Sequence, residues 1–409
     1  MWRILAVTAA LTLVSPASPA FAQDTSVGAV AVAPLAAPDA FSTGGRQTGL
    51  AQDLWRGASV DTLNTVLPKL AAPGGRPLSP AAAALARRVL ATGAPGPTGL
   101  GADPAALAAR AGALIALGDV RAAAAILARA PGLDRSAELS RAAAESALLS
   151  GEDARACAVA DGLTIGREDI YWLRLRAYCQ AIGGHPDQAQ LTFDIAQAQA
   201  RDAVFGRLMS VKLAGGGDPG APSLRNGLDY ALSRSLGLDL SAAKPAPAAA
   251  AALTPGDPAE PAWTLPPGDT DRLAAVRALA AGQPIAPELV GRLLEAAVKA
   301  EAAARPGAQA AALIVAAYAG TPGPELRGRL AALGVPEGRT PAGRSLALAA
   351  AGQDRLAGES AMLALWSCAD AGPAGLAPAE RARIVQALRL AGLDADARNF
   401  AVEGLLALP

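Results

Sequence analysis

The chain has 409 residues, 36 basic and 36 acidic side chains, a formal net charge of +0 and one histidine. Apolar residues make up 52% and aromatics only 3%, so alanine, the best helix former, dominates the apolar share and an all-helical fold is expected. The balanced charge gives no global field for nucleic acid or acidic membranes. The apolar share excludes wholesale disorder, and a lone His185 excludes histidine-rich metal sites.

Residues 1–22 read as a secretory leader, with Arg3 at its start, an apolar stretch from Ile4 to Val14 and a small-x-small site at Ala20-Phe21-Ala22. Cleavage is expected after Ala22, delivering the product to the bacterial periplasm. The apolar stretch falls short of the roughly 20 residues a bilayer crossing needs, and no cysteine follows to take a lipid. No later segment is long and uncharged enough to span a membrane. Residues 23–48, rich in alanine, proline and glycine, are expected to be a flexible N-terminus. Residues 49–102 then predict a leading helical hairpin. Trp55 anchors it, a helix runs from Val60 to Ala71, and a second opens at Ser79-Pro80.

A period of 33 governs residues 103–240. Gly118, Gly151, Gly184 and Gly217 are evenly spaced, and a capping residue stands fifteen positions before each: Asp103, Ser136, Asp169 and Asp202. These side chains satisfy the free amides that open a helix. Small residues Ala111, Ala144, Ala177 and Ser210 lie seven before each glycine, and Ala123, Ala156 and Ala189 lie five after the first three. The pattern predicts helical hairpins whose axes approach closely through the small residues, with Leu127, Val159, Phe193 and Ile195 packing on neighbours. One hairpin cannot bury its apolar face alone, so stacked copies are required.

With Ala111/Gly118/Ala123, Ala144/Gly151/Ala156 and Ala177/Gly184/Ala189 in place, this stretch resembles the tetratricopeptide (TPR) repeat family, whose unit is about 34 residues. Asp119 and Glu152 fit the acidic position after the turn, Phe193 the aromatic of the second helix, and Ala130 and Ala196 its later alanine. The family's early tryptophan and closing proline are missing, Pro131 shortens one helix, and Pro222 replaces the alanine of the last copy. The resemblance, over about residues 103–235, implies an α-solenoid of antiparallel helical hairpins with a concave groove that binds a protein segment.

The proline- and alanine-rich segment 241–268 is expected to be an extended linker or crossing loop between two helical halves, with Trp263 docked on a helix or merely tethered. Over 269–409 a second helical-hairpin array is expected, its helices ending at Gly282, Gly320, Gly352 and Gly392 and reopening near Ala357 and Ala397.

In the TPR-like frame, Cys157 lies early on one unit's second helix and Cys179 on the next unit's first, and those helices pack side by side. An oxidising compartment permits a disulfide between them, the alternative being two buried thiols; Cys368 is left over, buried and inert. Arg141, Arg174 and Arg207 recur 33 apart at the position that lines the groove in the family. Tyr171 and Tyr178 share a helix face with Arg174. Such a ladder suits an acidic protein segment, although exposed arginines commonly just solvate a face.

Glu359-Ser360 resembles the pair around the catalytic acid of soluble lytic transglycosylases. Met362 to Trp366 follow where that family has Asn-Pro and glycines, so an ordinary helix surface is expected. Ser241-Ala242-Ala243-Lys244 spells a penicillin-binding serine motif without its companions. No phosphate loop, G-x-S-x-G or zinc spacing occurs. No catalytic residue, metal or cofactor is assigned. The expected function is a non-catalytic scaffold or adaptor of the cell envelope; the rival is a peptidoglycan-binding or -processing protein.

Overall fold

The structure, a computed structural model, describes residues 38–71, 77–254, 256–320, 323–372 and 375–409. The leader expected over 1–22 and the first part of the segment expected over 23–48 lie outside them. Among the described residues there are nineteen α-helices and no strand, so the chain is all-α.

A leading pair, α1 (Val60–Ala71) and α2 (Pro80–Ala91), precedes the periodic stretch. Next come α3 (Pro104–Ala116), α4 (Val120–Leu127), α5 (Ala137–Leu149), α6 (Asp153–Gly162), α7 (Ile170–Ile182) and α8 (Pro186–Gln199). Asp103 and Ser136 cap α3 and α5 through their side chains, Asp169 stands at the N-cap of α7 without a side-chain hydrogen bond, and Gly118, Gly151 and Gly184 turn the chain with φ of 81°, 78° and 79°. L side chains are strained at such angles. Ala111, Ala144, Ala177, Ala123, Ala156 and Ala189 have no exposed surface, so in each pair helix meets helix through methyl groups. α4 then packs on α5, and α6 on α7. Leu127 and Phe193 are buried as the pattern requires. Ile195, expected on the packing face, instead points outward and is 48% exposed.

The fourth copy departs from the beat. Asp202 caps α9 (Ala203–Ala214), but Gly215, not Gly217, ends it with φ of 68°. The Gly215–Pro222 stretch cannot sustain a helix, and α10 (Gly227–Ser235) starts only after it. α10 packs on α5 as well as on α9. Gly227 permits this: its N–H donates to Glu145 Oε2 at 2.7 Å, and a Cβ there would stand 3.2 Å from that of Leu148.

The segment 241–268 is not a bare linker. It contains α11 (Pro247–Leu253), with Ala249 fully buried, which packs against α3, α4, α5 and α10. An alanine run behind Pro247 makes a helix without needing amphipathic spacing. The chain then crosses irregularly, and Trp263 donates from Nε1 to Asn399 Oδ1 at 3.3 Å.

The second half comprises α12 (Asp271–Ala280), α13 (Pro287–Lys299), α14 (Arg305–Ala319), α15 (Pro324–Ala331), α16 (Ala342–Gln353), α17 (Ala357–Ala371), α18 (Pro378–Leu390) and α19 (Asp394–Leu406). It returns to the leading pair: α17 packs on α1 and α2, and α19 on α2, while α1 also packs on α3. Side chains seal the joint. Glu359 accepts from the Ser59 amide at 2.9 Å and the Thr62 hydroxyl at 2.8 Å, Glu403 accepts from the Ala81 amide at 2.8 Å, and Arg88 pairs with Asp396 at 2.6 Å. Glu359, expected to be plain helix surface, therefore caps a helix distant in sequence.

The described part of the segment expected to be flexible, residues 38–48, is packed. Arg110 is fully buried and donates to the carbonyls of Leu90, Ala40 and Thr92 at 2.8, 2.9 and 2.6 Å, with its guanidinium 4.7 Å from the Phe41 ring centroid. Arg46 pairs with the buried Asp119 at 3.0 Å. A guanidinium that satisfies three carbonyls holds these residues down despite their loop-like composition.

Candidate interaction surface

Of the arginines that recur every 33 residues, Arg141 and Arg174 sit where one first helix meets the start of the next. Arg141 of α5 is exposed, and its guanidinium lies 4.7 Å from the Tyr171 ring centroid on α7. Arg174 of α7 donates to Ala200 O at 2.8 Å, lies 3.5 Å from Asp202 Oδ2 and stands 5.6 Å from the Phe205 ring centroid on α9. Arg207 of α9 donates to Ala221 O at 2.8 Å. Arg141 and Arg174 thus each bridge forward by one unit, whereas Arg207 bonds within its own. Arg174 and Arg207 are half-buried and committed inside the protein; Arg141 keeps a free outer side.

The tyrosines separate. The Tyr171 hydroxyl is buried beside the Glu145 carboxylate without a well-formed hydrogen bond. Burial pushes the Tyr171 phenol well above its ordinary pKa and raises Glu145. Tyr178 corrects the expected binding set: it is fully buried, and its hydroxyl donates to Asp153 Oδ2 at 3.0 Å. Asp153 also takes Arg234 of α10 at 2.6 Å, so Tyr178 ties α6, α7 and α10 together. A side chain shared by three helices cannot reach a ligand. Asp202, which caps α9 and faces Arg225 at 3.1 Å, has a lowered pKa: burial would raise it, but the Phe205 amide and Arg225 outweigh that.

Cys157 and Cys179 are bonded, with S–S 2.00 Å and Cα–Cα 5.5 Å, joining α6 to α7. Cys368 is free, and burial pushes its thiol up to about 12.

Among the described residues, the better-formed depressions hold about 20 and 10 Å³, a single water's worth each. Among the described residues no group of three or more His, Cys, Asp or Glu side chains is placed to hold a metal ion, and no helix is long and apolar enough to cross a membrane.

Two features escaped the sequence reading. Arg110 carried no signal, since its repeat equivalents are Ala143 and Arg176. The other is outward apolar surface on the α7–α8 hairpin: Leu191 is 64% exposed, Ile195 48% and Ile182 37%, with Ile165 in the preceding loop at 50%. The period carries a signal for it: Ala125 and Ala158 stand at the repeat position of Leu191. Comparison with protein-family models, curated proteins and solved structures finds no match to this chain.

Proposed function

We propose that this protein is an exported, non-catalytic scaffold that holds a partner protein in the bacterial periplasm, and that residues 103–235 form a divergent TPR-like solenoid presenting the binding surface. The observation that carries this reading is the concentration of exposed aliphatics in the α7–α8 hairpin and the loop before it. Of the nine large hydrophobics exposed among the described residues, four lie between positions 165 and 195. Apolar side chains grouped on a surface mark contact sites, whereas scattered ones need no explanation. The leader read at 1–22 and the Cys157–Cys179 bond both suit an oxidising compartment. Arg141 adds an exposed cation on the neighbouring unit, where an acidic segment of the same partner is accommodated.

Site-specific photo-crosslinkers at Arg141, Ala158 and Leu191 test this in cells. The expected result is a discrete protein adduct from at least one position. Adducts only with glycan strands, or none from any position, overturn the scaffold reading, the former in favour of a peptidoglycan-binding protein.

A further inference from the structure

We infer that the outward face of α8 is the docking site for an α-helix of the partner protein whose apolar stripe is flanked by lysine or arginine. This rests on the scaffold reading and names the partner's chemistry.

The internal period supplies the comparison. At the position of Leu191 the two preceding copies carry Ala125 and Ala158; at that of Ile195 they carry Arg129 and Gly162. Of the first three copies only the third places large aliphatics at both; the fourth, whose second helix is displaced, has Leu224 and Leu228 there, and both are buried. Packing does not call for them, because α8 is held through Ala189, Phe193 and Ala196, the residues it buries. Leu191 and Ile195 are four apart on one helix, so they form a ridge of the kind that seats in the groove of a second helix. α8 is fourteen residues and about 21 Å long, and it carries this ridge at its middle.

Charge selects the occupant. α8 carries Asp187 and Asp194, both exposed, and no lysine or arginine. Asp194 accepts from the Gln190 side-chain amide at 2.8 Å, a contact that leaves its charge intact. His185 precedes the helix and Arg201 follows it, beyond the ridge. A second copy of this chain would set these carboxylates against their own kind, which disfavours self-pairing. A helix with cations beside its apolar stripe meets both demands.

The test is fluorescence anisotropy of two labelled 18-residue helical peptides with the same leucine stripe, one flanked by lysine and one by glutamate, titrated with the full chain. The lysine peptide is expected to bind at least tenfold more tightly. The Leu191→Ser/Ile195→Ser variant, altered only at exposed positions, is expected to lose at least tenfold with an unchanged thermal melt. Asp187→Lys/Asp194→Lys is expected to reverse the preference. Equal binding of the two peptides, or binding indifferent to the serine variant, overturns the inference. Self-association in sedimentation that the serine variant abolishes also overturns it, since the face is then covered by a second copy. A crosslinker silent at Leu191 but productive at Arg141 sinks this inference and leaves the scaffold reading standing.

Discussion

Trp55 rests against Gly358 so closely that a Cβ at position 358 would stand 2.6 Å from the indole Cε3 and 2.7 Å from the Leu54 carbonyl oxygen. The Gly358 amide donates to that same carbonyl at 2.9 Å, and Phe41 meets the indole edge-on at 4.9 Å. Glycine therefore sets the distance between the N-terminal segment and α17. Gly358→Ala gains helix propensity of about 1 kcal/mol but incurs overpacking of about 1–3 kcal/mol. A net loss of stability is expected in urea titration, larger for Gly358→Val.

Arg110 is the buried cation on which residues 38–48 depend, and burial pulls its pKa down to about 9. Arg110→Met removes the cost of burying charge but strands three carbonyls, and is expected to lose about 2–4 kcal/mol. Arg110→Lys lacks the fork that spans three acceptors and is expected to fall between the two. Limited proteolysis should then cut within 38–48 in the methionine variant before the helices are attacked.

The Cys157–Cys179 bond closes a loop of sequence separation 22. Chain-entropy arguments give it about 3 kcal/mol. Cys157→Ser/Cys179→Ser is expected to lower the urea midpoint accordingly. Alkylation of the denatured wild type is expected to label one thiol without reductant and three with it; three in both would remove the bond.

Asp396 sits beside Arg88 in the joint between α2 and α19, and burial pushes its carboxyl up to about 6 against the opposing pull of that arginine. Between about pH 4 and 6 the folded chain holds a proton that the unfolded chain has released. This group therefore adds stability as the pH falls through 6 and withdraws it as the pH rises, by about 1–3 kcal/mol. Glu145, also raised, acts in the same direction. The lowered carboxyls of Asp202, Asp370 and Glu380 act in the opposite one, at lower pH. Asp396→Asn should flatten the difference in unfolding free energy between pH 5 and 7.5; an unchanged difference would contradict the assignment.

What the sequence disclosed was local. Asp103, Ser136, Asp169 and Asp202 announce helix starts because capping acts within three residues. The alanines facing across Gly118, Gly151 and Gly184 announce hairpins for the same reason. Gly352 shows where that logic ends. The Ala351-Gly352 pair marks the end of α16 to within a residue, since the helix runs to Gln353, but the glycine is there for packing: a Cβ would be 2.8 Å from Ala387 Cα, and Arg355 makes the turn with φ of 55°. A close approach between helices and a turn demand the same residue, and only tertiary structure tells them apart. Tyr178 fails likewise: spacing placed it on the face of Arg174, and α6 and α10 closed over it. The tie between Ser59 and Glu359 crosses 300 residues and leaves no periodic trace.

Contacts such as Thr62 with Glu359 and Ala81 with Glu403 make the earliest helices depend on the latest. A polypeptide made amino end first exposes the apolar flanks of its opening pair for as long as the tail is still to come. Cooperative closure must await the final turn of the thread, so loss of even the last helix should leave the beginning of the molecule, not its end, open to chaperones and proteases.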